Sequence, residues 1–310
     1  MEKEKKIGEI LSKREKMIGI HIMLIFLAIP QILIGYLYFK IYSKKSFLFF
    51  VLIQILLLLF IGIVLILIST KEERNQYLIG LSLSIIFSFS FSMIFFTGSK
   101  YYPLYIYFIT LCIYHYSEYF SVLIYHFDKI SCEFFLIDHS IGWGAATLLS
   151  FAEMIIGTYY FDKYKKIKFF FVIGLVMLIV GQYFRIAALY TGKSNFTHKI
   201  RYNKVENHEL ITHGIYSLSR HPSYFGFFLW SVGIEVMCCN PICTIGFTFV
   251  LFNFFKRRIL IEEGLLIQFF GEKYLEYKNS VGILIPFIHM DKEKEQKYLN
   301  VYLSKQNTVN

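Results

Sequence analysis

Between His208 and Glu263 the chain concentrates side chains able to hold ions and polar ligands, most densely at Arg220-His221-Pro222-Ser223-Tyr224. Pro222 suits the first position of a helix and keeps His221 out of helical geometry, so a helix is expected to begin there. The unpaired N–H groups and positive dipole end of such a helix can receive a carboxylate. His221 offers an imidazole. Tyr216 and Tyr224 offer aromatic faces whose attraction for an organic cation is about 0.5–2 kcal/mol. Anchoring of tyrosines at the headgroup level is the competing reading of the same residues. Arg258 and Glu262 stand four apart, on one face of a helix. They describe either an arginine placed to grip a carboxylate, or a surface ion pair of about 0.3–0.5 kcal/mol beside a positively charged stop at Lys256-Arg257-Arg258.

Other chemistries fail on spacing. In His208-Glu209-Leu210-Ile211-Thr212-His213 the histidines are five apart, whereas two zinc ligands on one helix face must be four apart. Cys112, Cys132, Cys238, Cys239 and Cys243 form neither a disulfide framework nor a paired zinc site and read as small apolar residues. Neither a glycine-rich dinucleotide fingerprint nor a Walker loop is present.

The elements that must position these residues are membrane helices. Of 310 residues, 56% are hydrophobic, 19% aromatic and only 17% charged, below the quarter that a soluble surface uses. That excludes an ordinary soluble enzyme. The net charge of +10 lies between long apolar runs and reads as membrane topology, in preference to a nucleic-acid-binding stripe. A bilayer core takes about 20 apolar residues per helix. Stretches at 18–39, 46–68, 77–97, 102–126, 134–157, 168–190, 222–238 and 241–255 meet or approach that length. The expected fold class is an all-α integral membrane protein with about eight transmembrane helices and cytosolic cofactor-binding segments. Its last two spans, joined at Asn240-Pro241, form a C-terminal helical hairpin. The charged lead MEKEKKIGEILSKREKMIG is followed by no small-residue cleavage site, so no removable signal peptide is expected.

An even number of spans puts both termini on one side. That side collects most of the 32 Lys and Arg: the N-terminal arm, the stretch from Lys193 to Arg220, and everything from Lys256 onward. The bias predicts cytosolic termini, against the opposing cluster Lys163, Lys165, Lys166 and Lys168. The sequon Asn195-Phe196-Thr197 then faces the cytosol and stays unused. His115, Glu118, Asp138, His139, Glu153, Arg185 and Glu235 fall within expected spans, where ionisable groups face a protein interior or cavity unless they reach water from a span end.

The segment His208–Tyr224, Cys239-Asn240-Pro241-Ile242-Cys243 and Arg258-x3-Glu262-Glu263 together resemble the isoprenylcysteine carboxyl methyltransferase family. Looser similarity covers His115-Tyr116-Ser117-Glu118-Tyr119, Asp138-His139-Ser140, Arg185 and Gly192-x-Ser194-Asn195-Phe196-x-His198. The resemblance implies a multi-pass endoplasmic reticulum enzyme that transfers a methyl group from S-adenosyl-L-methionine to the C-terminal carboxylate of a prenylated cysteine. Its partners would be small GTPases and other CaaX proteins, within membrane lipid, with no nucleic acid and no metal. The resemblance further implies cofactor contacts at Arg201, His208, Glu209, Leu210, Ile211, Tyr216, His221, Pro222, Ser223, Tyr224 and Glu262. Arg258 would hold the substrate carboxylate, with Arg185 as a second catalytic arginine. Arg201 stands where the family usually has glutamine, and the family's acidic run is reduced to Glu262-Glu263.

The implied organisation is anchorage at 1–100, spans lining a lipid-accessible cavity at 101–192, a catalytic cofactor-binding region at 193–290 and a polar tail at 291–310. The helix near Gly271–Lys278 reads either as a lid on the cofactor pocket or as a plain amphipathic tail. Phospholipid N-methyltransferases share the RHPxYxG stretch and form the alternative among enzymes. A small-molecule transporter is the alternative outside them, and the absence of a hydropathy repeat between the halves weighs against it.

Overall fold

The computed structural model describes residues 8–25, 44–96, 101–137, 141–160, 168–205, 208–289, 291–293, 296–297 and 300, and has no strand among them. The chain divides into two compact units, Met1–Lys166 and Ile167–Asn310.

In the first unit α1 occupies 8–25, followed by α2 (Lys44–Ile68), α3 (Lys71–Phe96), α4 (Tyr102–Tyr125) and α5 (Ile141–Tyr160). The break between α2 and α3 is a reciprocal cap. The Thr70 hydroxyl accepts from the Glu73 N–H at 3.4 Å and the Glu73 carboxylate accepts from the Thr70 N–H at 3.2 Å, which satisfies two donors that a helix start leaves open. Tyrosines tie α3 to α4: Tyr116 donates to the Gly80 carbonyl at 2.7 Å and Tyr119 to Gln76 Oε1 at 2.6 Å. A hydroxyl left unpaired in this apolar interior would cost about 1–3 kcal/mol.

The expected span at 134–157 is shorter than its apolar run. Cys132–Phe135 is a 3₁₀ turn and α5 starts at Ile141. Phe135 turns inward instead, stacking on Tyr119 with ring centroids 3.9 Å apart, and its carbonyl meets His115 Nδ1 at 2.6 Å. Leu136 then takes a left-handed φ of 55°. Burying an aromatic ring here outweighs continuing the helix. Glu118 is fully buried on α4. Asp138, His139, Lys163, Lys165 and Lys166 lie outside the described residues.

The second unit contains α6 (Lys168–Gly192), α7 (Pro222–Met237), α8 (Pro241–Phe270) and α9 (Glu272–Ser280). Glycines let α6 and α7 touch backbone to backbone. A β-carbon on Gly174 would fall 2.2 Å from the Met237 nitrogen, and one on Gly226 2.6 Å from the Arg185 nitrogen. Such contact replaces the hydrophobic driving force that helices lack in lipid. Pro222 and Pro241 each start a helix, as their missing N–H allows. The α7–α8 hairpin is fixed by Asn240, whose side chain donates to the buried Glu235 carboxylate at 2.9 Å. Gly271, with φ 54° and ψ −128°, makes the sharp turn from α8 into α9, a conformation that a side chain would strain.

Among the described residues, three helices are long and apolar enough to cross a membrane: Glu73–Phe95, Ile141–Tyr160 and Lys168–Asn195. Leu56–Ile68 is apolar but shorter. On α6 the side chains of Phe169, Val172, Val176 and Ile179 remain exposed, as expected of a surface solvated by lipid tails.

Candidate active site

After α6 the chain runs through 193–221 before α7 begins, and few of its backbone groups pair within a helix. Side chains hold this segment down. Asn195 Oδ1 accepts from the Glu209 N–H at 3.0 Å, and Tyr216 donates to the Ala188 carbonyl at 3.4 Å. Lys204 donates to the Phe269 carbonyl at 2.7 Å and lies over the Phe270 ring at 4.8 Å, a cation at the negative end of α8. His208 sits edge-on between the same two rings, 5.7 and 5.2 Å away.

At the turn into α7, Arg220 and His221 converge on Glu263 of α8. Arg220 Nε donates to Oε1 at 2.9 Å and Nη2 to Oε2 at 3.2 Å, while His221 Nε2 lies 2.9 Å from Oε1. Tyr274 of α9 donates to the same oxygen at 2.6 Å. Arg220 Nη1 reaches the carbonyls of Lys278 and Val281, and its backbone N–H that of Gly282 at 3.1 Å. Burial alone would raise the Glu263 carboxyl, but the hydrogen bonds and charges of His221 and Arg220 outweigh it and hold the group at about 2. Conversely, burial would lower Arg220, and Glu263 raises it.

One turn earlier on α8, Arg258 Nε donates to the Tyr224 hydroxyl at 2.6 Å and to Glu262 Oε1 at 3.2 Å, and Nη2 to the His198 carbonyl at 2.6 Å. Tyr224 in turn donates to Glu262. Its ring lies parallel to His221 at 5.7 Å. On α6, Arg185 is buried and donates to the Ser223 hydroxyl at 2.5 Å, with Phe196 and Phe227 about its guanidinium at 5.7 and 5.8 Å.

These elements enclose a cavity of ≈ 160 Å³. Arg201, His208, Glu209, Leu210, Ile211, Tyr216, His221, Pro222, Ser223, Tyr224 and Glu262 all line it. Arg258 and Arg185 do not line it, and each stands one hydrogen bond behind a residue that does. Tyr274 and Tyr277 of α9 line it too and are buried, which favours the lid over the plain tail. Asn195, Phe196, Lys199, Arg220, Leu265, Leu266 and Phe269 complete much of the wall without having been singled out as contacts. The α8 members were legible: Glu262, Leu265, Leu266 and Phe269 repeat at the spacing of one helix face.

Burial, with the positive charges of Arg201 and Lys204, lowers His208 to about 4. Its Nδ1 is buried without a hydrogen-bond partner among the described residues. Tyr216, Tyr274 and Tyr277 are raised by burial first. The wall thus combines a helix N-terminus, a neutral imidazole at His208, phenol faces and two carboxylates, Glu209 and Glu262. That set can hold a zwitterionic ligand carrying a ring system and a second positive charge.

The isoprenylcysteine carboxyl methyltransferase family profile matches residues 172–268. The protein-S-isoprenylcysteine O-methyltransferase of Dictyostelium discoideum is 46% identical over 184 residues, 59% of this chain and 77% of that one. That of Xenopus laevis is 42% identical over 192 residues, 62% of this chain and 67% of the relative. A solved structure of the eukaryotic intramembrane Ras methyltransferase, an isoprenylcysteine carboxyl methyltransferase, is similar with a TM-score of 0.78 at 30% identity. It covers 87% of this chain and 97% of that structure.

Proposed function

The chain belongs to the isoprenylcysteine carboxyl methyltransferase family, and we propose that it esterifies the C-terminal carboxylate of prenylated cysteines on CaaX-processed proteins with S-adenosylmethionine as donor. What supports the reading is convergence: every side chain expected to touch the donor lines one cavity, with both expected catalytic arginines directly behind its wall.

The cavity suits that donor. The N-terminus of α7 would receive its carboxylate, the tyrosine faces and Glu262 would attract its positive charges, and His208, whose Nδ1 has no hydrogen-bond partner among the described residues, would offer a polar contact to its nucleobase. When bound, the donor supplies an electrophilic methyl group on a sulfonium. A chain-terminal carboxyl has a pKa of about 3.5 and arrives ionised, so no side chain has to remove a proton. The task left to the protein is alignment and exclusion of water. Arg258 has Nε and Nη2 committed to Tyr224, Glu262 and His198, and Nη1 without a partner among the described residues. That leaves the Nη1 amino group available to an incoming carboxylate. Sharing its charge with Glu262 keeps the grip from quenching the nucleophile. Arg185, buried against Ser223, adds positive potential on the α6 side.

In the same reading, the protein crosses the endoplasmic reticulum membrane about eight times with both termini cytosolic. Residues 193–290 form the donor-binding region on that face and residues 1–100 the anchorage. Asn195 stays unglycosylated, consistent with its side chain being engaged by Glu209. Its protein substrates in this reading are small GTPases and other CaaX proteins that end in a prenylated cysteine.

The test is incubation of membranes with labelled S-adenosylmethionine and either N-acetyl-S-farnesylcysteine or phosphatidylethanolamine. Base-labile label on the farnesylcysteine is expected. Label on the phospholipid, or on neither, refutes the proposal, and a glycan at Asn195 refutes the topology.

A further inference from the structure

Glu263 does not line the cavity, yet four hydrogen bonds from Arg220, His221 and Tyr274 end on it. From this geometry we infer that Glu263 is a positioning residue for the methyl donor: it fixes the proton of His221 on Nε2 and docks α9 as a wall of the cavity. The inference rests on the reading of this cavity as the donor site.

A carboxylate accepts and cannot donate, so the 2.9 Å contact requires His221 to donate from Nε2. His221 Nδ1 is thereby the nitrogen turned toward Glu262, 3.7 Å from Oε2 at the cavity wall. The tautomer is set from behind the ring, before any ligand arrives. The second half concerns α9, whose nine residues are too few to hold a helix alone. Its ties are Tyr274 to Glu263, Tyr277 to the Tyr216 carbonyl at 2.6 Å, and the Lys278 and Val281 carbonyls to Arg220. Arg220 is itself aimed by its two-pronged contact with Glu263. One buried carboxylate therefore orders both the imidazole and the helix that contributes Tyr274 and Tyr277 to the wall. Adjacent positions on a helix point about 100° apart, so Glu262 and Glu263 serve different surfaces despite being neighbours.

The test uses the full-length protein and the variants Glu263→Gln, Tyr274→Phe and their combination. Glu263→Gln keeps the shape, removes the charge and can donate to His221. Four quantities are measured: Kd of S-adenosylhomocysteine, KM of S-adenosylmethionine, KM of N-acetyl-S-farnesylcysteine, and hydrogen exchange across 272–282. Loss of one member of a buried charged network predicts about a tenfold rise in donor KM and in Kd. The KM of the prenylcysteine should stay within about twofold, and exchange in 272–282 should quicken. Tyr274→Phe shifts the same quantities less, and the double variant falls short of additivity because both act on one network.

If Glu263→Gln folds poorly, Tyr274→Phe carries the same comparison alone. An unchanged donor KM overturns the inference, as does an equal rise in both KM values. Faster exchange of α9 with unaltered donor affinity also overturns it, since α9 would then be merely a structural ornament of the site. Wild-type protein that does not bind S-adenosylhomocysteine overturns the donor-site reading itself, an outcome distinct from a failing variant.

Discussion

Substituting Gly181 by alanine separates helix packing from site chemistry. A β-carbon there would lie 2.4 Å from the Trp230 nitrogen, 2.7 Å from the Gly226 carbonyl oxygen and 2.8 Å from Trp230 Cα, where ordinary contact is 3.4–4 Å. All three obstacles are backbone, so relief requires α6 and α7 to part by about 1 Å, since close-packed interiors have no slack to absorb it. Overpacking of this kind costs about 1–3 kcal/mol. The functional consequence is larger. Arg185 lies one turn from Gly181 and reaches Ser223 on α7 across 2.5 Å. A separation of about 1 Å stretches that bond beyond hydrogen-bonding range, and misplacement of that size can lower a rate about 100-fold. The control is Gly246→Ala on α8, where an added β-carbon meets nothing within 4 Å. Apparent melting in detergent and initial rates of farnesylcysteine methylation are the assays. Gly181→Ala should melt earlier and lose about 10- to 100-fold in kcat/KM, with Gly246→Ala unchanged in both. Equal behaviour of the two variants would refute the claim that backbone contact between α6 and α7 sets Arg185.

Three further outcomes are expected. Arg258→Lys keeps the charge but loses the planar fork that holds Tyr224, Glu262 and the His198 carbonyl. Initial rates should show kcat/KM for the prenylcysteine falling about 10- to 150-fold, the equivalent of about 1.5–3 kcal/mol. Acid should weaken the second unit in two windows. His208 sits at about 4 when folded against 6.5 ordinarily, so the unfolded chain binds more protons and stability is lost as pH falls from 6.5 toward 4. Glu263 lies at about 2 against 4.5, which contributes about 3 kcal/mol above pH 4.5 and is lost as pH falls toward 2. Melting scans of His208→Gln should show the first window gone and the second intact. Finally, Gly271→Ala forces a side chain into φ 54°, ψ −128°. It should destabilise docking of α9 by about 1–3 kcal/mol, read as faster exchange in 272–282.

Much of the site is legible in the amino-acid sequence. Pro222 and Pro241 announce two helix starts because a missing N–H is harmless only there, and Arg258 and Glu262 share a face because 3.6 residues make a turn. The α8 lining at Leu265, Leu266 and Phe269 follows the same period from Glu262. Other parts were not legible. The run from Phe134 onward counts as apolar whether it continues a helix or folds back, and only the partner ring of Tyr119 decides for the turn. Asn195 reads as a glycosylation acceptor by pattern, and its bond to Glu209 depends on where a loop comes to rest. The seven-residue spacing of Gly174 to Gly181 and Gly226 to Gly233 was visible, but its meaning needs the two helices side by side.

How apolar each segment is, and how the positive charges are distributed between the apolar runs, were determined by the sequence alone, because transfer free energy and charge belong to each residue by itself. The resemblance of its motifs was likewise enough to indicate a carboxyl methyltransferase. Tertiary structure alone decided that Glu262 faces the cavity while Glu263 gathers Arg220, His221 and Tyr274 behind it, and that the arginines stand one layer back. Those facts depend on pairs of residues up to 43 positions apart, and their separation in space is fixed only when backbones meet closely enough for one carboxylate to satisfy several donors.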